Sequence, residues 1–169
     1  MRNLFLFGFI MSLFSCKSQN QLPTVPHVDL EKYSGKWFEI SSITIGPQKG
    51  CSCTYAEYTP NKKGYIEVRN FCIKNNKPSG ITGKAFVEPN SGNARLKVQF
   101  FWPFKGKYYI IALADDYSYA MVGHPNRDNL WILSRRNQME ESTYKMLLGR
   151  ATELGFDISR LNKTKHDCQ

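Results

Sequence analysis

The sequence predicts an all-β protein, an eight-stranded antiparallel up-and-down barrel with one C-terminal α-helix packed outside it. Three observations carry that expectation. Residues 35–135 are short runs of aliphatic and aromatic residues, punctuated by Gly, Pro, Asn and Asp. Aromatic residues make up 14% of the chain, which with that spacing favours a barrel or sandwich. The period then changes, and Tyr144, Leu147, Leu148, Ala151 and Leu154 fall on one helical face. At 169 residues the chain fits one domain with a sizeable core.

The chain begins with an address. Met1-Arg2-Asn3 is a short positive start, and residues 4–14 are an apolar run. That run falls short of the roughly 20 residues a membrane span needs and suits a signal-peptide core. It ends in Leu13-Phe14-Ser15-Cys16, which resembles the bacterial lipobox, whose cysteine is lipid-modified after cleavage. Residues 1–15 are therefore expected to be a signal peptide and Cys16 the lipid attachment site. Residues 16–26, polar with two prolines, are expected to form a lipidated flexible tether, and residues 27–169 the barrel, helix and tail. The several acyl chains of such an anchor would hold firmly, where one binds only marginally. Lys17, rather than an aspartate, follows the cysteine, and by the habit of such lipoproteins this implies the outer membrane.

Residues 28–33 read as a helical turn, and Gly35 frees the backbone for a tight lead-in to a first strand at Trp37-Phe38-Glu39-Ile40. A loop at 46–50 follows. Strands at 53–59 and 65–73 flank the turn residues 60–64, and a fourth strand covers 81–87. Residues 94–101 alternate strictly, with Leu96, Val98 and Phe100 on one face and Arg95, Lys97 and Gln99 on the other. Pro103 stops that strand. Strands at 108–114 and 119–122 are linked through Asp115-Asp116-Tyr117, and the turn 124–129 leads to the last strand, Leu130-Trp131-Ile132-Leu133-Ser134. Eight strands is the count at which a closed barrel holds one small ligand. Arg135 follows at the seam. Stacked over the Trp37 indole it would tie the last strand to the first, a contact worth roughly 0.5–2 kcal/mol. Asn137 with Glu140 resembles a helix N-cap and its reciprocal acid, and Gly155 supplies the stop.

Gly35-x-Trp37, Asp115-Asp116-Tyr117 and Arg135 resemble, in order, the three signatures of the lipocalins. The stretch 100–135 is similar to the bacterial outer-membrane lipoprotein branch and to apolipoprotein D, and the resemblance covers residues 27–161. Asp115 stands where a threonine is usual. The resemblance implies a carrier of hydrophobic small molecules, with fatty acids and lysophospholipids associated with the bacterial branch. Gly35, Trp37, Asp116, Tyr117 and Arg135 would close the barrel without touching ligand. Leu96, Val98 and Phe100 face inward by their own alternation. The family pattern adds Ala56, Tyr58, Val68, Ala85, Tyr108, Ile110, Ala112, Ala120, Val122, Trp131 and Leu133. The alanines leave space that suits an acyl chain. Lys105 and Lys107 are candidate mouth or membrane contacts.

With Cys16 taken by lipid, Cys51, Cys53, Cys72 and Cys168 remain, and an exported chain is expected to pair them. Cys51 and Cys53 would share an outward face, opposite to Ala56. A tail cysteine in the family commonly clips to this region, which implies Cys53–Cys168 and Cys51–Cys72; the swapped pairing stays open.

A net charge of +9 suggests nucleic acid, yet no basic helix or zinc-finger spacing supports it. A metal site from the cysteines and His166 has unsuitable spacing. His27 and His166 lie near the ends of the mature chain and His124 in a turn, so none can serve a nucleophile inside the barrel. Asp115 and Asp116 are adjacent and would face opposite ways. The expectation is therefore a binding protein, not an enzyme, needing no cofactor or metal, anchored at the outer membrane and facing the periplasm. Two other readings are a carrier of a pigment or tetrapyrrole, and an envelope lipoprotein that binds an unknown protein partner through its outer wall.

Overall fold

The alternating runs form one antiparallel sheet in a computed structural model that describes residues 21–43 and 46–168. A short helix α1 (Leu30–Tyr33) leads into β1 (Gly35–Ile43), β2 (Cys51–Asn61), β3 (Tyr65–Lys74) and β4 (Lys77–Val87). Then come β5 (Arg95–Gln99), β6 (Gly106–Leu113), β7 (Tyr119–Gly123), β8 (Leu130–Ser134), helix α2 (Glu141–Glu153) and a two-residue β9 (Asn162–Lys163). Sequential neighbours pair from β2 to β8, and β1 pairs with both β8 and β2, which closes an eight-stranded barrel among the described residues. The lower half of β1, Gly35 to Phe38, holds β2. Its upper half lies against β8 and, where β2 has diverged, also accepts β9 at Ser41 and Ser42.

Two cores follow from the alternation. The inner one includes Trp37, Val68, Leu96, Ile110, Val122 and Leu133. The outer one sandwiches Tyr144, Leu147 and Ala151 of α2 against Ile43, Met121, Leu130 and Ile132 of the wall. Full burial of such side chains contributes about 1.5–3 kcal/mol each. No helix among the described residues is long and apolar enough to cross a membrane.

The structure corrects three sequence-based expectations here. Residues 16–26 were expected to be a flexible tether, but from Leu22 onward the chain is part of the fold. Leu22 is fully buried in the outer core, the Val25 amide donates to the Ile110 carbonyl at 3.0 Å, and Val28 donates to Gly92. The prolines give this segment an extended course along the wall, and its apolar side chains fasten it there. The expected cap at Asn137 with Glu140 does not form. Helix α2 starts at Glu141, with Glu140 at the N-cap position making no side-chain cap bond, because residues 137–140 carry the chain from β8 to the outer wall. Ala112 does not face inward. A bulge between Ile110 and Ala112 shifts the alternation, so Leu113 joins the inner core while Ile111 and Ala112 turn to the outer one. Residues 1–15, expected to be a signal peptide, and the lipid-attachment candidate Cys16 lie outside the described residues.

Candidate functional site

The closed end is built by the signature residues. Gly35 adopts φ +89°, a conformation that disfavours side chains, and turns the chain sharply from α1 into β1. Trp37, fully buried, donates its indole N–H to the Tyr33 carbonyl at 2.7 Å. The Arg135 guanidinium lies 3.9 Å from the Trp37 ring centroid. It also donates to the carbonyls of Lys36 at 2.8 Å, Lys32 at 2.6 Å and Tyr117 at 3.3 Å. Asp116 accepts from the Ser118 amide and shapes the β6–β7 turn; the Ser118 hydroxyl, followed by that amide, holds its carboxyl below the usual range. The Tyr117 hydroxyl accepts from the Asp29 amide at 2.9 Å, just ahead of α1. One cation thus ties helix, first strand, turn and last strand together. A shallow depression outside this end is lined by Lys32, Asp115, Asp116, Tyr117 and Arg135; it sits on the opposite side of that seal from the barrel interior.

Above this seal the interior begins with three phenols. The Tyr108 hydroxyl is 2.8 Å from that of Tyr33 and 2.8 Å from that of Tyr58. Burial pushes the Tyr58 phenol up to about 12 and raises those of Tyr33 and Tyr108 well above their ordinary value, so all three stay neutral. Three O–H donors share two contacts, which leaves one donor to offer elsewhere. Tyr33 was not among the sequence candidates; its signal is its place two residues before Gly35, at the end of α1.

Higher in the barrel, the structure places Ala56, Tyr58, Val68, Ala85, Val98, Phe100, Tyr108, Ile110 and Trp131 in or against the inner core. Val68, Ala85 and Ile110 are buried. Ala56, Val98, Phe100, Tyr108 and Trp131 face inward and remain partly accessible, so the space between them is not filled. Small residues line it, and Gly83 tolerates no side chain: a Cβ there would stand 2.7 Å from the Phe100 ring. Asn70 and Ile81, paired across β3 and β4 on the face shared with Val68, extend the lining upward. Polarity at Asn70 and the missing side chain at Gly83 obscured their inward role in the sequence.

The cysteines form the bonds Cys51–Cys72 and Cys53–Cys168. Their placement corrects the expectation that Cys51 and Cys53 share an outward face. Cys53 adopts φ +52° within a bulge, where the register slips between Ser52 and Tyr55. Cys51 therefore lies opposite Lys74, on the face of Cys72, Asn70 and Val68, while Cys53 is bonded to the C-terminal tail. That tail follows the outer wall. The Cys53 amide donates to Lys165, and the His166 ring packs edge-on against Phe38. Its Thr164 hydroxyl donates to the buried Glu39 carboxylate at 2.7 Å, as Ser42 does at 2.9 Å. Burial dominates over these bonds and raises the Glu39 pKa.

His27 is exposed, His124 lies half-buried in the 124–129 turn and His166 half-buried on the tail, and Cys51, Cys53, Cys72 and Cys168 are consumed in disulfides. Cys53, Asp167 and Cys168 lie close enough to suggest a metal set, but both sulfurs are spent on the bond. What the arrangement offers chemically is an apolar chamber, sealed at one end and open at the other, with a few hydroxyls at its depth.

Residues 28–166 match the family described as a lipocalin-like domain. The chain is 40% identical to temperature-induced lipocalin-1 of Arabidopsis thaliana, covering 86% of this chain and 83% of that protein. It is 33% identical to the outer membrane lipoprotein Blc of Vibrio cholerae, covering 95% of this chain and 96% of that protein. The solved structure of insecticyanin from the tobacco hornworm superposes with a TM-score of 0.71 at 21% identity, covering 88% and 86% of the two chains, a likeness of fold.

Proposed function

We propose a function from the premise that this chain belongs to the lipocalins, a family that binds small hydrophobic ligands. The cargo is a fatty acid or lysophospholipid, and the protein stores or carries it while held by a lipid anchor at Cys16 to the bacterial outer membrane, facing the periplasm. The observation that carries this reading is the set of inward side chains, Ala56, Val98, Phe100 and Trp131, that remain accessible inside a closed barrel. An acyl tail matches such a lining because its transfer from water yields about 0.8 kcal/mol per buried CH₂ and asks for no polar partner. The anchor draws support from relatives named as outer membrane lipoproteins and from the cysteine after Leu13-Phe14-Ser15. In this reading the protein acts by binding, without catalysis; the placement of His27, His124 and His166 outside the buried interior and the pairing of Cys51, Cys53, Cys72 and Cys168 in disulfides support it.

The test is native mass spectrometry of the purified mature chain with organic extraction of whatever accompanies it. An acyl lipid near one-to-one stoichiometry, displaced by added fatty acid and absent from Phe100→Glu, is the expected result. A protein that is empty and takes up neither fatty acid nor lysophospholipid would sink the reading. A coloured extract would move the cargo to a pigment.

A further inference from the structure

Among the described residues, the exposed apolar surface at the open end of the barrel is concentrated on one loop. Phe101 is 69% exposed, Trp102 86% and Phe104 76%, all on the connection between β5 and β6. The other large exposed hydrophobics among the described residues, Met146 and Ile158, lie on α2 and in the turn after it. Leaving three aromatic rings in water on one loop is costly unless something covers them. The residue just before them, Phe100, turns into the barrel against Gly83, so this loop forms the rim of the chamber.

The charge at the same end is one-sided. The loop carries Lys105, and Lys107 follows it at the start of β6; at the neighbouring open-end turns, Lys49 and the strand-end pair Lys74 and Lys77 stand with no acid within 46–50 or 74–77. The fourth connection, 124–129, holds Asp128, the one acid in these open-end connections among the described residues, beside Arg127. Lys49, Lys77, Lys105 and Lys107 are exposed. Aromatic rings at a tip with lysines behind them match the layering of a membrane surface, where rings settle among the headgroups and cations meet anionic lipid.

The path of the N-terminal segment points the same way. It runs from Leu22, packed beside Gly123 at the open-end terminus of β7, past Ile110 to Gly92 at the closed end. The described chain therefore starts, just before Leu22, at the open end. Cys16 lies six residues earlier, a reach of at most about 20 Å.

We propose that the open end of the barrel docks on an anionic lipid surface, with Phe101, Trp102 and Phe104 at the headgroup level and Lys105 and Lys107 against lipid phosphates. The chamber then opens onto the bilayer, and cargo passes between them without crossing bulk water. The role given to cargo, and the part played by Cys16, rest on the function proposed above; the docking itself stands on the loop and its charge.

The test uses the full chain purified with its own modifications and mixed with vesicles of phosphatidylethanolamine and phosphatidylglycerol carrying brominated acyl chains. Trp37 is buried and Trp131 faces the chamber, so Trp102 is the tryptophan placed to report contact with lipid. Quenching of emission by the brominated chains, mostly lost in Trp102→Tyr, is expected. The triple variant Phe101→Ser/Trp102→Ser/Phe104→Ser should deliver a bound fluorescent fatty acid to these vesicles at least tenfold more slowly while holding the same amount. Lys105→Gln/Lys107→Gln should abolish the dependence of that rate on phosphatidylglycerol. Equal quenching with and without Trp102, or equal delivery to purely phosphatidylcholine vesicles, overturns the proposal. Absence of vesicle contact in every form overturns it too and favours a protein partner for the loop. The mass of the purified chain separately reports acylation at Cys16, and extraction reports cargo, so failure of either earlier reading is distinguishable from failure of docking.

Discussion

Arg135 concentrates several bonds in one side chain. Its stacking on Trp37 and three donations to backbone carbonyls use the planar, forked geometry of guanidinium, which an ammonium cannot reproduce. Arg135→Lys is therefore expected to destabilise the barrel by about 2–3 kcal/mol, discounted for partial exposure. Thermal denaturation should show a Tm lower by roughly 5–10 °C, with fatty-acid stoichiometry unchanged. An unchanged Tm would show that the seal does not depend on the fork. Glu39 predicts a pH effect of definite sign. Burial raises its pKa above the ordinary 4.5, so the folded state holds the proton more tightly than the unfolded chain. Its contribution is fully present below pH 4.5 and is lost as pH rises through the raised folded value. Glu39→Gln keeps an acceptor for Ser42 and Thr164 and removes the charge. Urea denaturation should find the variant gaining on the parent as pH climbs above 4.5, with the gain levelling off beyond the folded value. A constant difference across that range would contradict the burial of a titrating acid.

At the level of elements, the tail acts as a clasp. Bond Cys53–Cys168 closes 115 residues, whereas Cys51–Cys72 closes 21. On the chain-entropy estimate these restrict the unfolded state by about 5 and about 3 kcal/mol. Cys168→Ser should therefore lower stability by roughly 2–5 kcal/mol. Amide exchange should accelerate at 162–168 and along the upper half of β1, where β9 pairs, before it does in β6 or β7. Uniform acceleration would mean that the tail is not a separate unit. Elements also mark where sequence reading succeeds. Residues 94–101 alternate without interruption, and Leu96, Val98 and Phe100 do face the inner core. Gly35, Trp37 and Arg135 were legible as a seal because only a few residue types can serve in those places. The bulges at Cys53 and Ile111 left no comparable mark, since an extra residue shifts the faces of its neighbours without changing composition. A strand as short as β9 has no period to detect. Leu22 and Val25 looked like tether because the prolines beside them outweighed two isolated apolar residues.

On the scale of the whole molecule, stability and capacity are assigned to different places. The outer core beneath α2, the continuous ladder and the Arg135 seal hold the wall from outside and below. The upper interior can therefore stay open without the wall collapsing into it, although an unfilled cavity forgoes contact energy. Two linked outcomes follow. A ligand that binds only the folded barrel, at about 100 times its Kd, should stabilise it by about 2.7 kcal/mol and raise Tm by roughly 5–10 °C. Filling the same space with protein should replace that gain. Ala56 lies inside, half-buried, opposite Trp37 and Asn70, where a larger aliphatic side chain would project into the chamber. In Ala56→Leu the ligand-free Tm should hold or rise, the affinity for a long-chain fatty acid should fall about tenfold, equivalent to about 1.4 kcal/mol, and the ligand-induced Tm shift should shrink. Thermal scans with and without oleate, alongside calorimetric titration, would measure all three. A full ligand shift with a lowered ligand-free Tm would mean that Ala56 packs against solid core and that the cargo lies elsewhere.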